Sequence, residues 1–172
     1  MFMCGTISDM SELIVVLDNI RSLHNVGSIL RTCDGFGVKQ VWVCGLTPYP
    51  KIKDDVRLPH VSKRAHQQIS KTALGAENSV DVRHLETLEK AINELHEKDI
   101  PVWAIEQSSD SVQINTINLP ETPVAIVLGN EVEGVDMSHD FDKTIEIPMI
   151  GQKESFNVSV TAGIVIYQLT QK

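Results

Sequence analysis

Six short apolar runs punctuate this chain and limit the folds open to it. They are LIVVLD (13–18), VWVCG (41–45), SVDVRHL (79–85), PVWAIE (101–106), PVAIVLG (123–129) and TIEIP (144–148). Each has strand length, and most are apolar on both faces, as a buried parallel strand requires. Helical patterns lie between the early runs. Apolar strands alternating with helices predict an α/β fold: a mostly parallel sheet with helices on both faces. No linker, repeat or low-complexity tract divides residues 1–172, so one domain is expected, with residues 1–12 as a short N-terminal extension.

Val26, Ile29, Leu30, Cys33 and Phe36 form an amphipathic stripe after the first run. Asn25 suits the N-cap of that helix and Gly37 its C′ position. The stretch LTPYPKIKDDVRLPH (46–60) is long for a connection in a compact domain, which points to function or mobility. Residues 61–73 read as helix, stopped near Gly75. Leu85, Leu88, Ile92 and Leu95 fall at helical spacing, and residues 107–122 read as loop. The final segment fits two periods. Asn157, Ser159 and Thr161 alternate as in a strand, while Asn157, Thr161, Gln168 and Lys172 share a helical stripe. Its length favours a helix, with Ser155 as a good N-cap.

A hydrophobic fraction of 42% and a charged fraction of 22% suit a soluble domain. No apolar run approaches the roughly 20 residues that span a bilayer. The start MFMCGTISDM has no basic region before an apolar core, so no signal peptide is expected. Cys4, Cys33 and Cys44 lack metal-site spacing and read as free thiols of a cytoplasmic protein. The net charge is −8, but it is unevenly spread. Residues 21–71 carry nine Lys/Arg against three Asp/Glu, a balance of +6, while residues 72–172 stand at −11. Folded onto one face, the middle segment is a phosphate-binding footprint on an acidic protein; on composition alone it is equally a solvated basic surface.

Ligands of parallel α/β folds sit at the carboxyl ends of strands. Gly129 ends one apolar strand, Gly134 follows in the next turn, and Gly151 lies just past another strand. Glycines there either only make turns or let backbone amides approach a ligand. Ile147, Met149, Ile150 and Phe156 are candidate apolar walls for an adenine ring. GFG (35–37) has no third glycine at position 40, which is Gln40, and it ends a helix; the dinucleotide fingerprint is absent. No phosphate loop, nucleophile elbow or HExxH motif occurs.

Three blocks together resemble the SpoU/TrmH-type RNA methyltransferases of the SPOUT superfamily. HNVGSILRTCDGFGV (24–38) resembles that family's first motif, IVLGNEVEGV (126–135) its second, and IPMIGQKESFNVSV (147–160) its third. Order and spacing agree, from about residue 13 to the end. The resemblance implies a SPOUT domain whose C-terminal part forms a trefoil knot that binds S-adenosylmethionine. It also implies a homodimer and methyl transfer to a ribose 2′-hydroxyl of RNA, tRNA before rRNA.

Residue by residue, Asn25, Arg31, Glu131, Ser155 and Asn157 match the family's polar catalytic positions. Gly129, Ile147 and Phe156 match its cofactor contacts, with Leu128, Met149, Ile150 and Gly151 beside them. Phe156 replaces the usual leucine and stays apolar. The sequence stops at Lys172, without the long terminal extensions with which some members grip tRNA, so the choice of RNA is the least specified trait.

The methyl donor is a sulfonium cation, so transfer needs no metal. Arg31 either acts as a base in a dry site or orients the hydroxyl and stabilises developing alkoxide charge. Arginine's pKa above about 12 favours the second role. Glu131 is expected to pair with Arg31. The acidic C-terminal half repels RNA, so Arg21, Lys51, Lys53, Lys63 and Arg64 are the expected RNA contacts. Two other classes fit less well: a non-catalytic RNA-binding module that kept the fold, and a flavodoxin-like nucleotide binder.

Overall fold

A computed structural model describes residues 13–118 and 121–171. Cys4 and the 1–12 extension lie outside the described residues. Seven strands form one sheet: β1 (Leu13–Asp18), β2 (Gln40–Cys44), β3 (Asp81–Leu85), β4 (Val102–Ile105), β5 (Val112–Gln113), β6 (Val124–Leu128) and β7 (Lys143–Glu146). Their order is β3-β2-β1-β6-β4-β7-β5, and every pairing is parallel. The six apolar runs are thus the six main strands. The seventh, β5, lies in the stretch 107–122 that reads as loop, followed by a 3-10 turn at Ile114–Thr116. Two residues, both exposed, leave no periodicity to detect.

Four helices cover the sheet: α1 (Leu23–Gly35), α2 (Pro59–Ala73), α3 (Leu88–His96) and α4 (Val158–Thr170). Alternate strand residues divide between two cores. Val15, Leu17, Val43, Ile126 and Leu128 pack with α1, α2 and α4, whereas Val16, Trp42, Ala104 and Val127 pack with α3. Side chains such as Leu17 and Ile126 are fully buried, each stabilising the fold by about 2 kcal/mol through removal from water.

Two caps differ from expectation. Ser22, not Asn25, is the N-cap of α1: its Oγ accepts from the Asn25 backbone N–H at 3.2 Å. That places Asn25 on the first turn with its own side chain free for other use. Gly37 is left-handed at φ +75°, as a C′ residue should be. Likewise Asn157, not Ser155, caps α4, accepting from Ser159 N at 2.9 Å. Both positions compete within a polar run, and only the chain's turn decides which oxygen reaches the amide.

The 46–58 connection is pinned rather than loose. Arg57 forms a bidentate pair with Asp55 (2.9 and 2.6 Å) and donates to the carbonyls of Tyr49 and Pro50, both at 2.9 Å. Its guanidinium lies 3.5 Å from the Tyr49 ring centroid, and that ring stacks on His84 at 4.5 Å. Arg57 is therefore spent inside the loop.

Candidate functional site

The carboxyl ends of β4, β6 and β7 and the approach to α4 enclose a cavity of about 470 Å³. That size suits a small-molecule ligand. Its apolar wall includes Leu128, Ile147, Met149 and Phe156. Of the cofactor residues expected from sequence, these four and Gly129 line it; Ile150 and Gly151 do not. Ile150 is 98% exposed, since the chain after β7 turns it away from the cavity.

Two glycines shape the cavity by close approach. A side chain on Gly129 would collide with the backbone of Gly134 and Val135. Gly134 is left-handed (φ +73°), and a Cβ there would strike the Glu106 carboxylate. Asn130 and Gly134 exchange backbone hydrogen bonds of 3.0 and 2.9 Å, closing the turn. Asn130 Oδ1 accepts from the Val132 and Glu133 amides at 2.8 and 3.2 Å, and its Nδ2 donates to Asn19 O at 3.0 Å.

The cavity's charge has one sign. Glu106, Glu131, Glu133, Glu146 and Glu154 line it, and no Lys, Arg or His does among the described residues. Glu133 and Glu154 make no side-chain hydrogen bond or ion pair to a described residue, so their charge is not locally compensated. A cation fits such a wall; a phosphate does not.

Glu131 links the cavity's rim to α1. It accepts from Asn25 Nδ2 at 2.9 Å and from the backbone N–H groups of Arg21 and Ser22 at 3.2 and 3.4 Å. Asn157 Nδ2 donates to Asn25 Oδ1 at 3.3 Å. Partial burial opposes ionisation of Glu131, but these donors outweigh it and hold the carboxyl below its ordinary range. Asn25, Glu131 and Asn157, taken from three distant motifs, therefore form one network. Ser155 lines the cavity.

Arg31 stands apart. It is exposed on α1, does not line the cavity, and its side chain makes no hydrogen bond or ion pair to a described residue. The expected pairing with Glu131 is not made, because Glu131's oxygens are taken by Asn25 and the two backbone amides. Arg21, Lys51, Lys53, Lys63 and Arg64 are all exposed and unpaired with any described carboxylate. They lie at the start of α1, on the pinned loop and on α2. The helices α1 and α2 are neighbours, since Thr72 Oγ1 donates to His24 O at 3.0 Å.

Sequence reading missed Glu106, Asn130 and Glu154. Asn130 and Glu106 each follow a strand end, and that placement was the available signal. Among the described residues no three His, Cys, Asp or Glu side chains gather as a metal site, and no helix is long and apolar enough to cross a membrane.

Residues 12–167 match the model of the SpoU rRNA Methylase family. The chain is 35% identical over 156 residues to the 23S rRNA (guanosine-2′-O-)-methyltransferase RlmB of Neisseria meningitidis, covering 90% of this chain and 56% of that protein. The A. aeolicus TrmH/SpoU tRNA modifying enzyme superposes with a TM-score of 0.75 at 26% identity, over 94% of this chain and 75% of that one. An AdoMet-bound rRNA methyltransferase from Sinorhizobium meliloti shares the fold (TM-score 0.73, 22% identity), over 91% of this chain and 55% of that one. The chain spans just over half the length of the curated relatives it matches.

Proposed function

This chain belongs to the SpoU rRNA methylase family, and from that premise we propose that it transfers the methyl group of S-adenosylmethionine to a ribose 2′-hydroxyl of RNA, in the cytoplasm. The substrate we assign is tRNA. The observation that carries the donor is the cavity's charge: five carboxylates and, among the described residues, no basic side chain, with glycine turns and apolar walls. A phosphate-bearing nucleotide or flavin meets repulsion there, whereas a sulfonium ligand is attracted.

When bound, S-adenosylmethionine supplies a methyl group on a positively charged sulfur. The chain's own residues do the rest. Leu128, Ile147, Met149 and Phe156 hold the apolar part of the ligand and exclude water. Glu131, Asn25 and Asn157 set the rim, with Ser155 beside them. Arg31 orients the acceptor hydroxyl and stabilises its developing negative charge by hydrogen bonding. The proton leaves to solvent or to a rim group.

Arg31 lies outside the cavity of its own protomer, which supports a homodimer that completes the site. Phe36, just past the end of α1, and Val160 and Tyr167 on α4 are exposed, with Phe36 and Tyr167 in edge contact at 5.8 Å, an apolar face suited to a second copy. We also assign the family's trefoil knot to the path from β6 through β7 to α4. RNA lies over Arg21, Lys51, Lys53, Lys63 and Arg64.

The likeness to RlmB favours one second reading, the same reaction on rRNA. Mass spectrometry of nuclease digests separates the two. Cells lacking the gene lose one 2′-O-methyl nucleotide from tRNA on the first reading and from rRNA on the second. An unchanged profile in both pools removes the methyltransferase assignment and leaves an RNA-binding module.

A further inference from the structure

Glu106 directly follows β4 and faces the cavity. Its backbone is fixed, with the amide donating to Ile145 O at 3.0 Å beside β7. Its carboxylate spans two segments. Oε1 accepts from the Gln107 backbone N–H at 2.9 Å, and Oε2 accepts from the Val135 backbone N–H at 2.9 Å. The first bond orients the carboxylate; the second ties β4 to the turn 130–135. That turn closes on itself through Asn130 and Gly134. Among the described residues, Glu106 is the side chain that joins it to β4. Gly134 makes this possible, because any side chain there would occupy the carboxylate's place.

We propose that Glu106 is a positioning residue for the donor: its carboxylate fixes the turn 130–135 against the end of β4 and thereby sets the shape of the cavity that receives S-adenosylmethionine. This rests on the cavity being the donor site, as assigned above. The chemistry demands an acid. Two backbone N–H donors converge on one side chain, and a carboxylate offers an acceptor to each. A glutamine keeps one acceptor and turns an NH₂ donor toward the other amide. The turn does not depend on Glu106 to stay folded, since the Val135 side chain is buried in the core beneath α3.

Glu106→Gln is therefore expected to fold, to weaken S-adenosylhomocysteine binding and raise the KM for S-adenosylmethionine by about tenfold, and to change kcat by less than about threefold. Hydrogen exchange at the Val135 amide quickens in the ligand-free variant. Gly134→Ala displaces the same carboxylate, so its effect on binding and that of Glu106→Gln are less than additive when combined. Calorimetry on the wild type separates the two levels of inference. Wild type that binds neither donor nor product ends the donor-site reading and this role with it. Wild type that binds, beside a folded Glu106→Gln that binds equally well, ends the role of Glu106 alone. Unchanged Val135 exchange, or a collapse in kcat with KM unmoved, also overturns it.

Discussion

Asn25 Nδ2 donates to Glu131 Oε1 at 2.9 Å, although 106 residues separate the two. The contact joins the first turn of α1 to the turn after β6, and Asn157 at the head of α4 extends it. If the rim acts as a unit, Asn25→Ala and Glu131→Gln each lower kcat/KM by about 100-fold, and the double variant is little worse than either. Additive losses in a double-mutant cycle would show the two residues working independently.

The same contact gives a pH dependence. The folded carboxyl of Glu131 sits below its ordinary value near 4.5, so its contribution to stability is present above that value and fades as pH falls through the folded one. The stability gap between wild type and Glu131→Gln should persist from neutral pH to about pH 5 and close in more acid solution. Chemical denaturation at stepped pH measures it; a gap constant to pH 3 contradicts the argument.

Arg31 does not line the cavity we assign to the donor, so its variants should separate binding from chemistry. Arg31→Ala and Arg31→Lys are expected to leave S-adenosylhomocysteine affinity within about twofold and to lower kcat by about 100-fold or more, since an ammonium cannot copy the planar guanidinium. A lysine variant at near wild-type rate would rule out both the base and the orienting role.

Reversing Lys51, Lys53, Lys63 and Arg64 to Glu is expected to weaken RNA binding by at least about 100-fold near physiological salt and to flatten its salt dependence, with donor affinity unchanged. Filter binding across a salt series reads both. Unaltered RNA affinity would place the RNA on another face.

The Arg57 guanidinium bonded to Asp55 holds that carboxyl far below its usual range, with smaller help from the Arg57 backbone amide and Ser62 against the opposing effect of burial. The loop's pairing is then complete at neutral pH; its contribution to stability starts to shrink as pH falls below the ordinary carboxylate value and is lost only in much stronger acid, where the folded carboxyl itself takes up a proton. Arg57→Met should cost about 2 kcal/mol of stability and reduce RNA affinity through disorder of Lys51 and Lys53. Thermal unfolding together with RNA titration tests it. Full stability in the variant would mean that the loop is held by something else.

Much of the fold was legible because burial on both faces of a parallel sheet writes itself into local sequence. The runs 13–18, 41–45, 101–106 and 123–129 each became a strand within a residue or two. The stripe from Val26 to Cys33 became the buried face of α1. Where the pattern carried no hydrophobic signal, reading failed: β5 is two exposed residues. The caps failed for another reason. Asn25 and Ser155 are chemically as good as Ser22 and Asn157, and the choice between neighbours depends on backbone angles that composition does not encode.

At the site, the three motifs named Glu131, Asn25, Asn157, Gly129, Ile147 and Phe156, and all six meet at the cavity or its rim network. The pairing of Glu131 with Arg31 was a sensible charge match, yet three N–H donors already occupy the carboxylate. Net charge was also informative only in part. The basic segment 21–71 was visible as numbers, but that Arg57 spends its charge on Asp55 was not.

Sequence alone settled the class of fold, the order of its six main strands along the chain and the motifs that mark the family, because each is written in residues a few positions apart. Tertiary structure alone decided the order of strands in the sheet, the convergence of five carboxylates on one cavity, the brace between Glu106 and Val135, and the separation of Arg31 from Glu131. Those features join residues about 30 to 110 positions apart, and electrostatic and hydrogen-bond energies depend on distance through space, which spacing along a chain does not fix.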